Sequence, residues 1–185
     1  MLAVVFDCET THLISNRLVK LDSQPYIIEF AALWIDLAAD QVVNEYSQLI
    51  RPPKALSDQP LPGAKKTITD ITGITNAMLA DKPNFAAAAP VIKGMIEEPT
   101  MAIAHNFTFD QEMLDIEFQR IGQKLIWPKP ICTVEATVHL AGERLTLAKL
   151  HHFLFNENFQ DAHRALADVR ATTRCAVELF NRGLI

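Results

Sequence analysis

An α/β fold built on a mixed sheet is what this 185-residue sequence predicts, and three observations predict it. The chain opens on a short apolar run, Leu2-Ala3-Val4-Val5-Phe6. A longer run from Tyr26 to Ile35 is followed by a hairpin partner, Val42 to Ile50. After that, short apolar runs alternate with segments of helical periodicity. Strands in hairpin order followed by strand–helix alternation describe a sheet with both antiparallel and parallel neighbours, covered by helices. At 49% hydrophobic residues the chain can bury a sizeable core, so a single domain over residues 1–185 is expected.

The elements follow in order. Thr10 to Pro25 is mixed and polar, a loop of the kind that carries binding residues beside a strand end. Pro52-Pro53 stops the second hairpin strand, and Lys54 to Pro62 reads as irregular. Short helical pieces are expected at Thr67–Ile71 and Asn76–Ala80, separated by Gly73, and a longer helix over Phe85–Glu97 with a kink or break at Pro90. Met101 to His105 reads as a buried strand. Thr108-Phe109-Asp110-Gln111 matches a helix-starting capping box, with Phe109, Met113, Ile116 and Ile121 as the apolar stripe. Pro128 and Pro130 bracket a turn before a strand near Ile131–Val134. Two helices close the chain, one over Thr146–Phe155 and one from about His163 to Asn181, with Asp161 as its N-cap.

Composition narrows the function. A formal net charge of −5 argues against gripping nucleic acid through a global positive field, although local help from Lys54, Lys65, Lys66, Lys149, Arg164, Arg170 or Arg174 is open. Cys8, Cys132 and Cys175 are an odd number without C-x-x-C spacing, which fits buried thiols better than disulfides or zinc; Cys8 should face away from its acidic neighbours. No basic leader precedes the first strand and no apolar run reaches membrane-spanning length, so a soluble, cytoplasmic protein is expected. The chain closes at Gly183-Leu184-Ile185, with no tether to a polymerase expected there.

The chemistry begins at Asp7 and Glu9. Strand residues two apart share a face, so a buried strand ending in Asp-x-Glu delivers two carboxylates to one spot. The same spacing recurs at Asp110/Glu112 and Asp115/Glu117, but there the periodicity is helical and residues i and i+2 diverge. Asp110, in the first turn of a helix, and Asp168, on the last helix, are the other acids at element ends that can converge beyond the carboxyl ends of the strands. A helix N-terminus favours the ionised form of Asp110. Oxygen donors without cysteine or clustered histidine point to magnesium or manganese. His163 precedes Asp168 by five residues, about 140° of helix rotation, so both serve one site only if His163 lies at or before the helix start. An imidazole, ordinarily titrating near ~6.5, suits proton transfer at neutral pH.

Phe6-Asp7-Cys8-Glu9-Thr10-Thr11, His105-Asn106-Phe107-Thr108-Phe109-Asp110 and His163-Arg164-Ala165-Leu166-Ala167-Asp168 resemble the three exonuclease motifs of the DEDDh family, which includes the proofreading subunit of the bacterial replicative polymerase and phage-encoded relatives. Ile71-Thr72-Gly73-Ile74-Thr75 and Ile131-Cys132-Thr133 are similar to further family segments in the same order. The resemblance implies a ribonuclease H-like fold, a central mixed five-stranded sheet flanked by helices, and removal of nucleotides from 3′ to 5′. It implies Asp7, Glu9, Asp110 and Asp168 as ligands of two divalent cations, Mg2+ or Mn2+, about 4 Å apart, with His163 as the general base of a two-metal hydrolysis. Thr10, Thr11, His12 and Leu13 would meet the terminal nucleotide, Leu13 against the base, and Asn106 would orient Asp110 or substrate. His12 stands where the family usually has glycine.

The leading expectation is therefore a 3′-to-5′ exonuclease acting on single-stranded DNA ends and releasing nucleoside monophosphates, with a DNA polymerase or replication partner that the sequence does not display. Trimming of short RNA uses the same chemistry, and a non-catalytic nucleic-acid-binding module is the alternative of another class. Four mutually repelling carboxylates have no use in an inactive binder. His105 reads as structural, His151-His152 as surface or partly packed residues, and Trp34 and Trp127 as core.

Overall fold

The computed structural model describes residues 1–14, 20–61, 65–159 and 163–185. Five strands form one sheet: β1 (Leu2–Thr10), β2 (Ile27–Asp36), β3 (Gln41–Leu49), β4 (Met101–Ala104) and β5 (Lys129–Cys132), in the spatial order β3-β2-β1-β4-β5. β2 runs antiparallel to both β1 and β3, whereas β4 and β5 run parallel to β1. The α-helices among the described residues are α1 (Ile68–Thr72), α2 (Asn76–Leu79), α3 (Phe85–Glu97), α4 (Phe107–Arg120), α5 (Thr133–Ala141), α6 (Leu147–Phe155) and α7 (Ala165–Asn181), and none is long and apolar enough to cross a membrane.

The alternation of β1 sorts its side chains onto two cores. Val4, Phe6 and Cys8 face α3 and α4, packing with Ile92, Met113, Leu114 and Phe118. Ala3 and Val5 face α7, packing with Val169 and Ala176. Continuing that alternation turns Asp7 and Glu9 toward α7. Phe6 meets Phe107 edge-on at 5.5 Å, and Trp127 lies 5.6 Å from both rings. Such aromatic pairs add about 1 kcal/mol each beyond area burial. Here they brace the residue before Asp7 against the first residue of the helix that carries Asp110.

Local chemistry explains several boundaries. Thr67 caps α1 in a reciprocal box with Asp70, and Gly73 ends it at φ 71°, a conformation that glycine adopts without steric cost. Thr75, Asn84 and Thr146 cap α2, α3 and α6 through their side chains. Pro90 does not break α3: the helix runs through it to Glu97, with the hydrogen bond to the Ala86 carbonyl forgone.

Other boundaries differ from the sequence expectation. Thr108 is not the N-cap of α4; that position belongs to Asn106, in the left-handed region at φ 67°, with no side-chain cap bond. Asparagine tolerates this conformation, and the tight turn starts the helix immediately after β4. β5 begins at Lys129 and includes Pro130, which an edge strand accommodates. Residues after Cys132 turn into α5, a helix the sequence reading missed because Thr133, Val134, Thr137 and Val138 are β-branched. His151 is buried, its ring between Phe155 and Phe159, whereas its neighbour His152 is exposed. Asp161, the expected cap of α7, lies outside the described residues, and Arg164 occupies the N-cap position. The three cysteines are free, Cys8 and Cys175 buried and Cys132 half-buried. Trp34 and Trp127 pack against the α3/α4 core.

Candidate active site

β1 ends at the centre of the sheet, and its last residues set the site. Asp7 pairs with Ala31 and Glu9 with Glu29 across β2, after which the register slips between Glu9 and Thr10. A bulge at this point bends the strand away from its neighbour, a common device for re-aiming side chains at an active site. Glu9 and Glu29, directly opposite each other, therefore present two carboxylates on the α7 face.

Asp110 arrives from the other side of the sheet. It is buried in the first turn of α4, and its Oδ1 accepts the Cys8 backbone N–H at 3.0 Å. The Cys8 thiol also hydrogen-bonds Asp110. Cys8 thus faces away from Asp7 and Glu9, yet it is the residue through which a third acid is tied to their strand.

Asp168 arrives from α7, in its first turn, and its Oδ2 accepts the His163 backbone N–H at 3.0 Å. His163 lies two residues before α7, so the helical rotation that would separate it from Asp168 does not apply. Its φ is 69°. For a non-glycine residue that conformation costs about 1 kcal/mol and persists where the surroundings impose it. Donor atoms of Glu9, His163 and Asp168 lie within 4.8 Å of one another.

Burial and mutual repulsion push every acid of the group upward. Asp7 is raised well above the usual carboxylate range, first by burial, then by Asp110, Glu9, Asp168 and Glu29. Burial is also the leading cause for Glu9, raised to about 8, with Asp168, Glu29 and Asp110 adding and Arg164 opposing. Asp110 is raised to about 8 by burial, against the hydrogen bonds from Cys8, and Asp168 to about 6, against the bond from His163. The cluster is short of positive charge. Its all-carboxylate donors, with one imidazole alongside, fit hard divalent cations, which would favour the ionised forms that burial disfavours.

The loop after β1 is organised by its own polar groups. The Thr10 hydroxyl donates to the His12 carbonyl at 2.9 Å. The Thr11 hydroxyl accepts the Tyr26 N–H at 3.0 Å, while the Thr11 N–H donates to the Tyr26 carbonyl at 2.9 Å. Both hydroxyls are therefore engaged within the protein, which leaves the backbone of this loop and the Leu13 side chain as the parts that can face a ligand. His12 is not among the positive-φ residues, so its backbone needs no glycine, and its Nδ1 is 2.7 Å from the Leu13 carbonyl. Leu13, four residues after Glu9, is 71% exposed, an apolar side chain in water.

On the far side, His105 is internal support. Nε2 lies 3.1 Å from the Leu145 carbonyl, which can only accept, so Nε2 carries the proton and Nδ1 accepts from the Thr133 hydroxyl at 2.9 Å. Burial holds this imidazole down at about 4. Asn106 is exposed, its Oδ1 3.4 Å from Arg144 Nη2, and among the described residues its side chain makes no hydrogen bond to the first turn of α4.

Among the candidate cations, Lys149, Arg170 and Arg174 pair with Glu143, Glu45 and Glu157, while Arg164 pairs with Glu29 beside the cluster. The decoy acids have structural roles. Asp115 accepts from Trp127, and Glu117 accepts the Ile27 N–H and pairs with Arg120. Glu29 was missed by the sequence reading, although its signal is visible: one charged residue inside the apolar run from Tyr26 to Ile35.

Fold and site together define a nuclease of the ribonuclease H-like class. A family model described as Exonuclease matches residues 4–176. The chain belongs to this exonuclease family, with the DEDDh residue set of its 3′-to-5′ members. It is 29% identical over 183 residues to a DNA polymerase III PolC-type protein of Thermotoga maritima, covering 92% of this chain and 11% of that protein. The chain thus spans about a tenth of the length of the PolC-type relatives it matches. A solved structure of exonuclease X in complex with 5′ overhanging duplex DNA aligns with a TM-score of 0.69 at 24% identity, covering 97% of this chain and 92% of that one. The nuclease domain of 3′hExo, described as a DEDDh family member bound to rAMP, aligns at 0.76 and 17% identity, covering 99% and 93%. At these identities the structural likeness shows the fold.

Proposed function

We propose that this chain, as a single exonuclease domain over residues 1–185, removes nucleoside monophosphates from the 3′ ends of single-stranded DNA in the cytoplasm, serving replication or repair. The observation that carries this reading is the gathering of Glu9 from β1, Asp168 from α7 and His163, with donor atoms within 4.8 Å of one another, next to Asp7 and to Asp110 from α4, which lie close enough to repel them. Asp7, Glu9, Asp110 and Asp168 would hold two divalent cations, Mg2+ or Mn2+. When bound, these supply charge to neutralise the scissile phosphate, activate water and stabilise the departing 3′ oxygen.

The chain's own groups do the rest. His163, exposed and free of the helix ladder, takes the proton of the attacking water at an imidazole nitrogen. Asp168 accepts the His163 N–H, so one acid both contributes to the cluster and fixes the base beside it. Asp110 ties the α4 turn to β1, holding acids from the two sheet faces in one arrangement. The loop from Thr10 to Leu13, closed on Tyr26, presents its backbone and the Leu13 side chain to the terminal nucleotide.

Likeness to PolC-type DNA polymerases favours DNA as the substrate and a polymerase as a partner. The test is digestion of 5′-labelled single-stranded DNA and RNA of one sequence, with Mg2+ or Mn2+ and then with chelator, beside Asp7→Ala. Shortening from the 3′ end of DNA that needs both the metal and Asp7 is expected. Equal or faster shortening of RNA reassigns the substrate. Turnover indifferent to chelator and to Asp7→Ala overturns the reading.

A further inference from the structure

We infer that Glu29 is a positioning residue for His163, acting through Arg164 and the first residue of α7. This rests on the reading of His163 as the general base. Glu29 is 2% exposed. Its Oε2 accepts Arg164 Nε at 3.1 Å and the Ala165 backbone N–H at 3.0 Å, and its Oε1 accepts Arg164 Nη2 at 2.8 Å. These donors come from the two residues that follow His163 in the chain.

A guanidinium fork on a carboxylate fixes direction as well as distance, and the Ala165 N–H fixes where the helix begins. His163 is therefore pinned from both sides. The residues after it are held on Glu29, and its own N–H is held by Asp168. The left-handed backbone at φ 69° is the conformation those anchors impose, and it brings the imidazole to the oxygens of Glu9 and Asp168.

Glu29 is placed for this task rather than for holding a cation, because both its oxygens already accept hydrogen bonds from the chain. Its position also runs against sheet stability. It stands directly opposite Glu9, and like charges facing each other across a ladder repel. A carboxylate there needs Arg164 as its counter-charge, and Arg164 is the neighbour of His163. One buried acid on β2 thereby links the sheet to the orientation of a side chain 134 residues away, by the numbering of Glu29 and His163.

The experiment uses the full chain with Mn2+ and a 5′-labelled single-stranded DNA, comparing Glu29→Gln, His163→Ala and the double variant, with folding checked by circular dichroism. Misplacing a reacting group by about 1 Å costs roughly 100-fold, so Glu29→Gln is expected to lower kcat roughly 10- to 100-fold with KM within about threefold. In the His163→Ala background the same change is expected to cost no more than about threefold, because the group it positions is gone. Arg164→Lys, which keeps the charge and loses the fork, is expected to lower kcat with KM unchanged and serves alone if Glu29→Gln does not fold. Parent kcat in Glu29→Gln or Arg164→Lys, or losses that multiply in the double variant, overturns the inference while leaving the base assignment intact. Parent turnover in His163→Ala overturns the base assignment and the inference with it.

Discussion

Asp110 and Cys8 are joined by a 3.0 Å hydrogen bond from the Cys8 backbone N–H to the Asp110 carboxylate, across 102 residues of sequence. Through it the helix on one face of the sheet is locked to the strand whose acids point to the other face. Asp110→Asn separates the two functions of that carboxylate, because an amide oxygen still accepts the Cys8 N–H but brings no charge. In chelator at pH 8 this variant is expected to melt above the parent, since a buried repelling charge has gone. Its turnover with Mn2+ is expected to fall at least about 100-fold, the scale of losing one electrostatic contact at a reacting centre. Calorimetry and the nuclease assay check the two halves; a melting point below the parent shows that the charge itself holds the helix.

The pH dependence of the metal-free protein follows from the raised acids. Glu9 and Asp110 titrate at about 8 in the fold, so the folded state keeps protons that the unfolded chain has already lost. Their contribution to stability is present below the ordinary carboxylate range and is lost as pH rises through the folded values. His105, lowered to about 4, has the opposite sign: its contribution is present above the ordinary imidazole value of 6.5 and is lost as pH falls toward 4. The two oppose each other between about 4 and 6.5, and the carboxylates prevail above that. In chelator the melting temperature is therefore expected to drop from pH 6.5 to pH 8. A flat or rising trend over that interval would count against the buried acid cluster.

Divalent cations should reverse that loss. A ligand at 100 times its dissociation constant adds about 2.7 kcal/mol if it binds only the folded state. Mg2+ or Mn2+ is expected to raise the melting temperature most at the alkaline end of the range. Asp7→Ala, which removes the acid raised by all its neighbours, is expected to abolish most of the rise. An equal rise in both proteins would place the cation elsewhere.

Leu13, 71% exposed in the loop that follows β1, should matter to substrate and not to the fold. Burying a leucine against a base is worth about 1–2 kcal/mol, so Leu13→Ala is expected to weaken single-stranded DNA binding roughly 5- to 30-fold at unchanged melting temperature. Fluorescence anisotropy in Ca2+ with a labelled oligonucleotide measures this. Unaltered affinity would remove Leu13 from the substrate surface.

Much of the fold was legible because the strands carry alternating or continuous apolar runs and most helices carry side-chain caps. Thr67, Asn84 and Thr146 each start a helix where a capping residue meets apolar periodicity. α5 was illegible because β-branched residues favour strands locally, while its site after β5 is set by packing that no local pattern records. Asn106 was misread for a similar reason: Thr108 has the better capping chemistry, but the left-handed turn at Asn106 is what fits the helix to the end of β4.

The strand-end pair Asp7 and Glu9, and Asp110, His163 and Asp168 as its candidate companions, are legible from the sequence, since residue types at fixed spacing are local information. How they are arranged is a property of the closed fold. The bond from Cys8 to Asp110, the left-handed turn at His163 and the hold of Glu29 on Arg164 and Ala165 join residues as much as 136 positions apart. Backbone donors and buried carboxylates find such partners only when the sheet and helices close over them, because burial makes each unpaired polar group costly.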